Sequence, residues 1–129
     1  MSRYTVRAAT TNAGLNLSLF QYSGSPRGRP PILDIVGITS NGIAELLLQP
    51  LFEGSFDVST SPNSHAEFLS QCGPERDPLG LGRQPNVELT TDTESRKGGR
   101  VYWGDLNDGR ELGRIELSTL NGRASLFIQ

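Results

Sequence analysis

The sequence has few of the residues on which much protein chemistry depends. Among 129 residues there is one cysteine, Cys72, and one histidine, His65. One cysteine cannot form an internal disulfide, and the two residues cannot assemble a four-ligand structural zinc site. On a helix, a seven-residue separation places the two side chains about 10.5 Å apart along the axis, too far for a nucleophile and its base. We therefore expect no metal site, no cofactor and no cysteine-based catalysis.

Long apolar segments and charge runs are absent too. Apolar runs do not exceed three residues, as at Leu46–Leu48, and Met1–Arg7 has no apolar core of signal-peptide length. The net charge is only −2, and the arginines do not form a run. These absences predict a soluble, cytoplasmic protein without a membrane segment, and they argue against both a disordered polyelectrolyte and a dedicated nucleic-acid surface.

Glycine and proline, in contrast, are plentiful. Fifteen glycines and eight prolines are spread along the chain rather than gathered in one tract, which indicates frequent turns. The length is typical of one compact unit, so we expect a single domain over residues 1–129. No segment repeats at a fixed period.

Alternating polar and apolar residues predict strands in the first third of the chain. Thr5–Thr10 alternates, Thr11–Gly14 supplies turn formers, and Leu15, Leu17 and Leu19 recur at period two. This arrangement is typical of a β-hairpin.

A second hairpin is indicated by a turn dipeptide. Ile32–Thr39 is rich in β-branched residues and is followed by Asn41-Gly42, which suits the tight turns of hairpins. The returning segment, Ile43–Gln49, is predicted as a strand. The alternative is a short helix ended by Pro50, because alanine, glutamate and leucine favour helix intrinsically.

One segment has the pattern of a short helix. Ser64 and Glu67 have the capping-box spacing, and Gly73-Pro74 would end the helix. The residues at helical spacing on one face are His65, Phe68, Leu69 and Cys72. We therefore predict an α-helix near residues 64–72.

The last third is again strand-like. Val87 and Leu89 alternate with polar residues, Arg96–Gly99 is predicted as a turn, and Val101–Trp103 follows. Across that hairpin, the acidic residues from Glu88 onward are expected to pair with the basic ones. Together the segments predict an all-β fold of mainly antiparallel strands, arranged as a small β-barrel or a β-sandwich with the one short α-helix.

Aromatic and basic residues supply the candidate binding site. The candidate ligand-binding residues are Tyr22, Arg100, Tyr102 and Trp103. We expect more aromatic and leucine side chains than a small core covers. The leading hypothesis is a non-enzymatic β-domain that binds a small, partly apolar ligand or a protein partner, as a homo-oligomer.

Two alternatives belong to other functional classes. An enzyme with its active site in a barrel mouth would use Tyr102, Asp105, His65 or Arg100. A nucleic-acid accessory protein would use Arg96–Trp103, where cations stand beside aromatic residues. The neighbouring acidic residues would repel phosphate, so nucleic acid is the less favoured partner.

Overall fold

The computed structural model describes residues 3–19, 32–48, 52–62, 64–70, 82, 84–104 and 112–128. These segments form ten strands and no helix, so the all-β prediction is confirmed. The strands are β1 Arg3–Thr10, β2 Leu15–Leu19, β3 Ile32–Asn41, β4 Ala44–Leu48, β5 Gly54–Ser59, β6 Ala66–Ser70, β7 Pro85–Asp92, β8 Arg96–Trp103, β9 Gly113–Asn121 and β10 Ala124–Ile128. In this part of the chain nothing is both helical and long enough to cross a bilayer.

The strands form two open sheets that face each other. One has six strands in the order β1-β3-β9-β5-β8-β7, and the other has four in the order β2-β4-β10-β6. Among the described residues neither sheet closes on itself, so of the two predicted architectures, barrel or sandwich, the barrel is wrong. Six of the eight strand pairings between described residues are parallel, so the prediction of mainly antiparallel pairing is wrong as well.

Strand–turn–strand units explain the parallel pairing. In each unit the first strand joins the six-stranded sheet and the second joins the four-stranded sheet, so the two do not pair with each other. We call such a unit an arch. The first arch is β1–β2, the second β3–β4, the third β5–β6 and the fourth β9–β10. The arches stack in the spatial order first, second, fourth, third, and their common direction makes every pairing between them parallel. Both hairpins predicted in the first third are therefore arches.

Asparagine side chains connect the turns of three arches. Asn121 Nδ2 donates to Asn41 Oδ1 at 2.8 Å, and Asn41 Nδ2 donates to Asn12 Oδ1 at 2.9 Å. These residues hold equivalent turn positions, 80 and 29 residues apart in sequence. The turn sequence therefore recurs, but not at a fixed period.

Threonine hydroxyls make a second set of bonds beside the asparagines. Each donates to a turn carbonyl of the neighbouring arch on the side of the first arch. The bonds are Thr60 to Gly122 at 2.7 Å, Thr119 to Gly42 at 2.9 Å and Thr39 to Ala13 at 3.0 Å. We call the two sets together the turn ladder. All its side-chain donors point toward the first arch.

Every second side chain of the arches fills the space between the sheets. Ile35 and Ile115 of the six-stranded sheet and Leu46 and Leu126 of the four-stranded sheet are fully buried there. Such burial stabilises the fold by about 1.5–3 kcal/mol for each large aliphatic side chain. The stack is stabilised because every second side chain of both sheets is buried in the space between them.

The helix predicted near residues 64–72 is wrong over its described part. Ala66–Ser70 is strand β6 and pairs in parallel with Ala124–Ile128. The Phe68 ring stacks on Phe56 of the opposite sheet, with centroids 4.2 Å apart and planes inclined by 13°. A two-turn helix is marginal by itself, so the strand pairing and this contact prevail over the intrinsic preference of the segment.

The remaining strands, β7 and β8, form the one antiparallel hairpin of the described chain. Its turn is at residues 93–95, so the turn predicted at Arg96–Gly99 is wrong, and β8 runs through those residues. The register shifts between Leu89 and Thr91, which leaves Thr90 as the extra residue of a bulge. The hairpin extends the six-stranded sheet two strands beyond the four-stranded one.

Candidate functional site

Two of the predicted site residues meet on the outer face of β8. Arg100 Nε donates to Glu88 Oε2 at 2.6 Å, and the Tyr102 hydroxyl donates to Glu88 Oε1 at 2.8 Å. The Arg100 guanidinium carbon also lies 5.7 Å from the centroid of the Tyr102 ring. Because Glu88 of β7 is paired with Arg100 in the antiparallel register, the predicted cross-strand charge pairing is confirmed here. It recurs between Asp92 and Lys97.

The electrostatics of this cluster fix its charge state. The hydrogen bond from Arg100, followed by that from Tyr102, lowers the pKa of the Glu88 carboxyl. The same hydrogen bond raises the pKa of the Arg100 guanidinium. At neutral pH the cluster is therefore a salt bridge that uses both carboxylate oxygens as acceptors. Such an arrangement positions side chains, whereas a general base needs a pKa near the working pH.

Trp103 lies on the opposite face of the same strand. Its side chain is buried, at 3% exposure, and its backbone N–H donates to Glu53 Oε2 at 2.7 Å. A cavity of about 20 Å³ beside it is lined by Phe52, Pro85 and Ile128, among others. That volume suits about one water molecule. The Trp103 side chain thus lies on the face of β8 opposite the Arg100–Glu88 pair, although Tyr102 also lines the small cavity beside it. Tyr22 lies outside the described residues.

A larger depression crosses the outer face of the six-stranded sheet. It is open, has a volume of about 300 Å³, and is lined by Ser55, Asp57, Arg96 and Arg114 around Gly98-Gly99. Arg96 forms a two-bond ion pair with Asp57, at 2.8 and 3.1 Å, and Arg114 pairs with Glu116. The bond to Asp57 raises the pKa of Arg96. Both cations are thus matched by carboxylates.

The residues proposed for catalysis are not brought together. His65 is exposed in the turn of the third arch, beside the hairpin tip, since the neighbouring Ala66 N–H donates to Glu94 O at 2.8 Å. Arg96 is the first residue of β8 after the hairpin tip, and Tyr102 is six residues further along the strand. At a strand's rise per residue, Tyr102 is therefore about 20 Å from the tip. Asp105 lies outside the described residues. Among the residues that are described, no three acidic, histidine or cysteine side chains are grouped to hold a metal ion.

The two ends of the stack differ in how they are covered. At the third arch, the β7–β8 hairpin continues the sheet, and its tip accepts hydrogen bonds from the backbone of the arch. Thr60 N–H donates to Ser95 O at 2.9 Å, and Ala66 N–H donates to Glu94 O. We call this the capped end.

The first arch forms the other end, which we call the open end. Within the part of the chain that the structure describes, strands β1 and β2 are edge strands, each paired on one side only. Because Thr11 O accepts from Asn41 N–H at 2.9 Å, strand alternation directs the backbone groups of Val6 and Ala8 away from the stack. The Thr10 hydroxyl and the Asn12 amide nitrogen have no hydrogen-bond partner among the described residues. Sequence reasoning missed this end, although the recurring Thr–x–Asn turns were a signal for it.

No protein family model, curated protein or solved structure matches this chain.

Proposed function

We propose that the chain is a non-enzymatic protein-binding module whose partner adds an extended strand to β1 at the open end. The observation that carries this proposal is the regular edge of β1, which has no partner strand among the described residues, whereas β7, the other edge of the same sheet, is interrupted by the bulge at Thr90. A regular edge of eight residues is a template for another strand, and proteins commonly cover or interrupt such edges. Main-chain hydrogen bonds then supply affinity, and alternate side chains supply specificity.

Charge narrows the class of partner. The first arch, residues 3–19, contains Arg3 and Arg7 and no acidic residue. The Arg7 side chain is exposed and has no ion pair among the described residues. An incoming strand with carboxylates on the outer face would therefore be favoured. The partner we propose is an acidic extended segment of another protein.

The other functional classes find less support. The cavity beside Trp103 is too small for an apolar ligand, and the cations of β8 are matched by carboxylates, which weakens attraction to phosphate. Homo-oligomerisation is the second candidate, because the outer edge of β1 has no partner strand among the described residues and two copies can pair about a two-fold axis. In the register that pairs Val6 with Ala8, however, the two copies of Arg7 face each other, and like charges directly opposite are destabilising.

Proline substitutions on the two sides of β1 test the proposal. Ala8→Pro removes an N–H that faces the open edge, where proline is tolerated, whereas Ala9→Pro removes one that faces β3. The probe is a labelled ten-residue peptide of alternating valine and glutamate, and the control peptide replaces glutamate with lysine. We expect the acidic peptide alone to bind, measured by fluorescence anisotropy. Ala8→Pro should weaken binding by at least about tenfold without changing the melting temperature.

The matched variant and the mass of the protein complete the test. Ala9→Pro should lower the melting temperature, because it removes a bond inside the sheet. A dimer by light scattering that Ala8→Pro dissociates would favour the homo-oligomer over the foreign partner. Equal binding of both peptides, or binding that Ala8→Pro leaves unchanged, would overturn the proposal.

A further inference from the structure

The turns of the second and fourth arches leave no room for a side chain at one position. A Cβ atom on Gly122 would lie 2.1 Å from Gly42 O, and a Cβ atom on Gly42 would lie 2.6 Å from Ala13 O. Both distances are below the 3.0 Å that Cβ atoms essentially always keep from other heavy atoms. In each case the obstacle is a backbone carbonyl of the neighbouring arch, which cannot rotate away as a side chain can.

The direction of these contacts is the same in both turns. Each missing side chain would point toward the neighbour on the side of the first arch, whose turn carbonyl accepts the ladder threonine. In the second and fourth arches, glycine at this position is therefore what allows the turn to follow its neighbour at strand spacing, about 4.8 Å. The third arch has no glycine in its turn, which is one residue longer than that of the fourth arch. A methyl group at the position of this glycine would occupy the space in which the turn carbonyl of the neighbouring arch lies.

The first arch has that methyl group. Ala13 follows Asn12 as Gly42 follows Asn41, and it is exposed at the open end with no positive φ. By equivalence its Cβ points outward, to the place where the turn carbonyl of one more arch would lie. Thr10 and Asn12 beside it carry the donors that such an arch would accept. The turn ladder could therefore continue to a further arch through these donors, but the methyl group of Ala13 occupies the space that the turn of that arch needs.

We infer that Ala13 terminates the stack: it excludes a further arch at the open end and restricts that end to a single extended strand on β1. The restriction applies to an arch of a partner protein and equally to one from a second copy. The identity of the natural occupant rests on the proposed function, but the steric exclusion does not. It can therefore be tested without any partner.

A duplicated arch fused to the chain provides the test. A second copy of residues 32–48, followed by a second copy of residues 20–31, is placed before Met1. In the chain itself residues 20–31 connect β2 to β3, one arch to the next in the stack, so the same segment suits the new connection. The fusion is made with Ala13 and with Ala13→Gly, and each is compared with its unfused form by amide hydrogen exchange and thermal melting.

The expected result is docking of the added arch only when residue 13 is glycine. With Ala13→Gly, protection of the Val6 and Ala8 amides should rise at least about tenfold over the unfused variant, and the melting temperature should increase. With Ala13, the amide protection and the melting temperature of the fusion should both match those of the unfused chain. Thr10→Val in the docked fusion should reduce the gain, because it removes a ladder donor.

Three outcomes would overturn the inference. One is equal docking with alanine and with glycine at residue 13. Another is a fusion that fails to dock with either residue. The third is a gain that Thr10→Val leaves unchanged, since docking would then not use the turn ladder. None of these outcomes depends on the acidic peptide, so failure of this inference is distinguishable from failure of the proposed function.

Discussion

The capped end and the open end are built from the same kind of arch, yet they present different surfaces. At the capped end, the hairpin tip accepts the N–H groups of Thr60 and Ala66. At the open end, the outward backbone groups of Val6 and Ala8 and the side-chain donors of Thr10 and Asn12 meet no described residue. The comparison teaches that an arch is stabilised chiefly by its neighbours. The same substitution should therefore have a different effect at the open end and inside the stack.

The largest difference is expected from core truncation. Leu126→Ala removes a fully buried side chain between the second and third arches and should lower the free energy of unfolding by about 2–5 kcal/mol. Leu15→Ala, in the first arch, removes a side chain that is only partly buried and should cost less than half as much. Urea unfolding of the two variants measures this. Equal losses would mean that the open end is as well packed as the interior.

Adding a methyl group tests the spacing of the turns. Gly122→Ala would place its Cβ against Gly42 O, and overpacking of this kind costs about 1–3 kcal/mol. Gly14→Ala, in the first arch, meets only Ile43 O, at 3.4 Å, so we expect a change within about 0.5 kcal/mol. The ranking is checked by the midpoints of chemical denaturation. Tolerance of alanine at position 122 would contradict the close approach of the turns.

Removing one hydroxyl group tests the turn ladder. Thr39→Val deletes the donor to Ala13 O and should destabilise the protein by about 1 kcal/mol. Thr10→Val deletes a donor without a described partner and should leave stability unchanged. The two variants differ from wild type in the same way chemically, so each is the control for the other. A loss at Thr10 as large as that at Thr39 would show that the open end is already occupied.

The smallest effect is expected from pH, because the groups involved are exposed. The pKa of Glu88 is lowered below its ordinary value of 4.5. Its contribution to stability is therefore complete above that value and is lost as the pH falls through the lowered pKa of the folded state. Glu88→Gln should reduce the loss of stability between pH 5 and acidic pH in urea unfolding. Arg7→Gln, at the open end, should leave that loss as in wild type.

Local patterns predicted the positions of strands better than their partners. Asn41-Gly42 is a turn, as the dipeptide indicates, but the chain then crosses to the other sheet instead of pairing back. Asn41 bonds to Asn12 and Asn121, far away in sequence. A tight-turn signal reports backbone conformation and does not report which strand is the neighbour. Parallel stacking was therefore out of reach of the local pattern.

The candidate site shows the same division between local and distant information. The pairing of Glu88 with Arg100 was predictable, because the two lie on adjacent strands of a short hairpin. The grouping of Tyr102 with Trp103 as ligand-binding residues stays a prediction. Consecutive residues of a strand face opposite sides of the sheet, yet both residues line the small cavity beside Trp103. The open end depends on the order of the arches, and that order is fixed by contacts between residues up to 80 positions apart.

The spatial order of the arches also governs how the chain can fold. The fourth arch is the last in sequence, yet it lies between the second and the third. During synthesis the first two arches and the third arch therefore remain separated by one vacant position until residues 113–128 leave the ribosome. Insertion of the fourth arch between the other two parts makes folding dependent on long-range contacts and correspondingly slow. The need for chaperones should be greatest in that interval, when the strand edges of the second and third arches that later pair with the fourth arch are still unpaired.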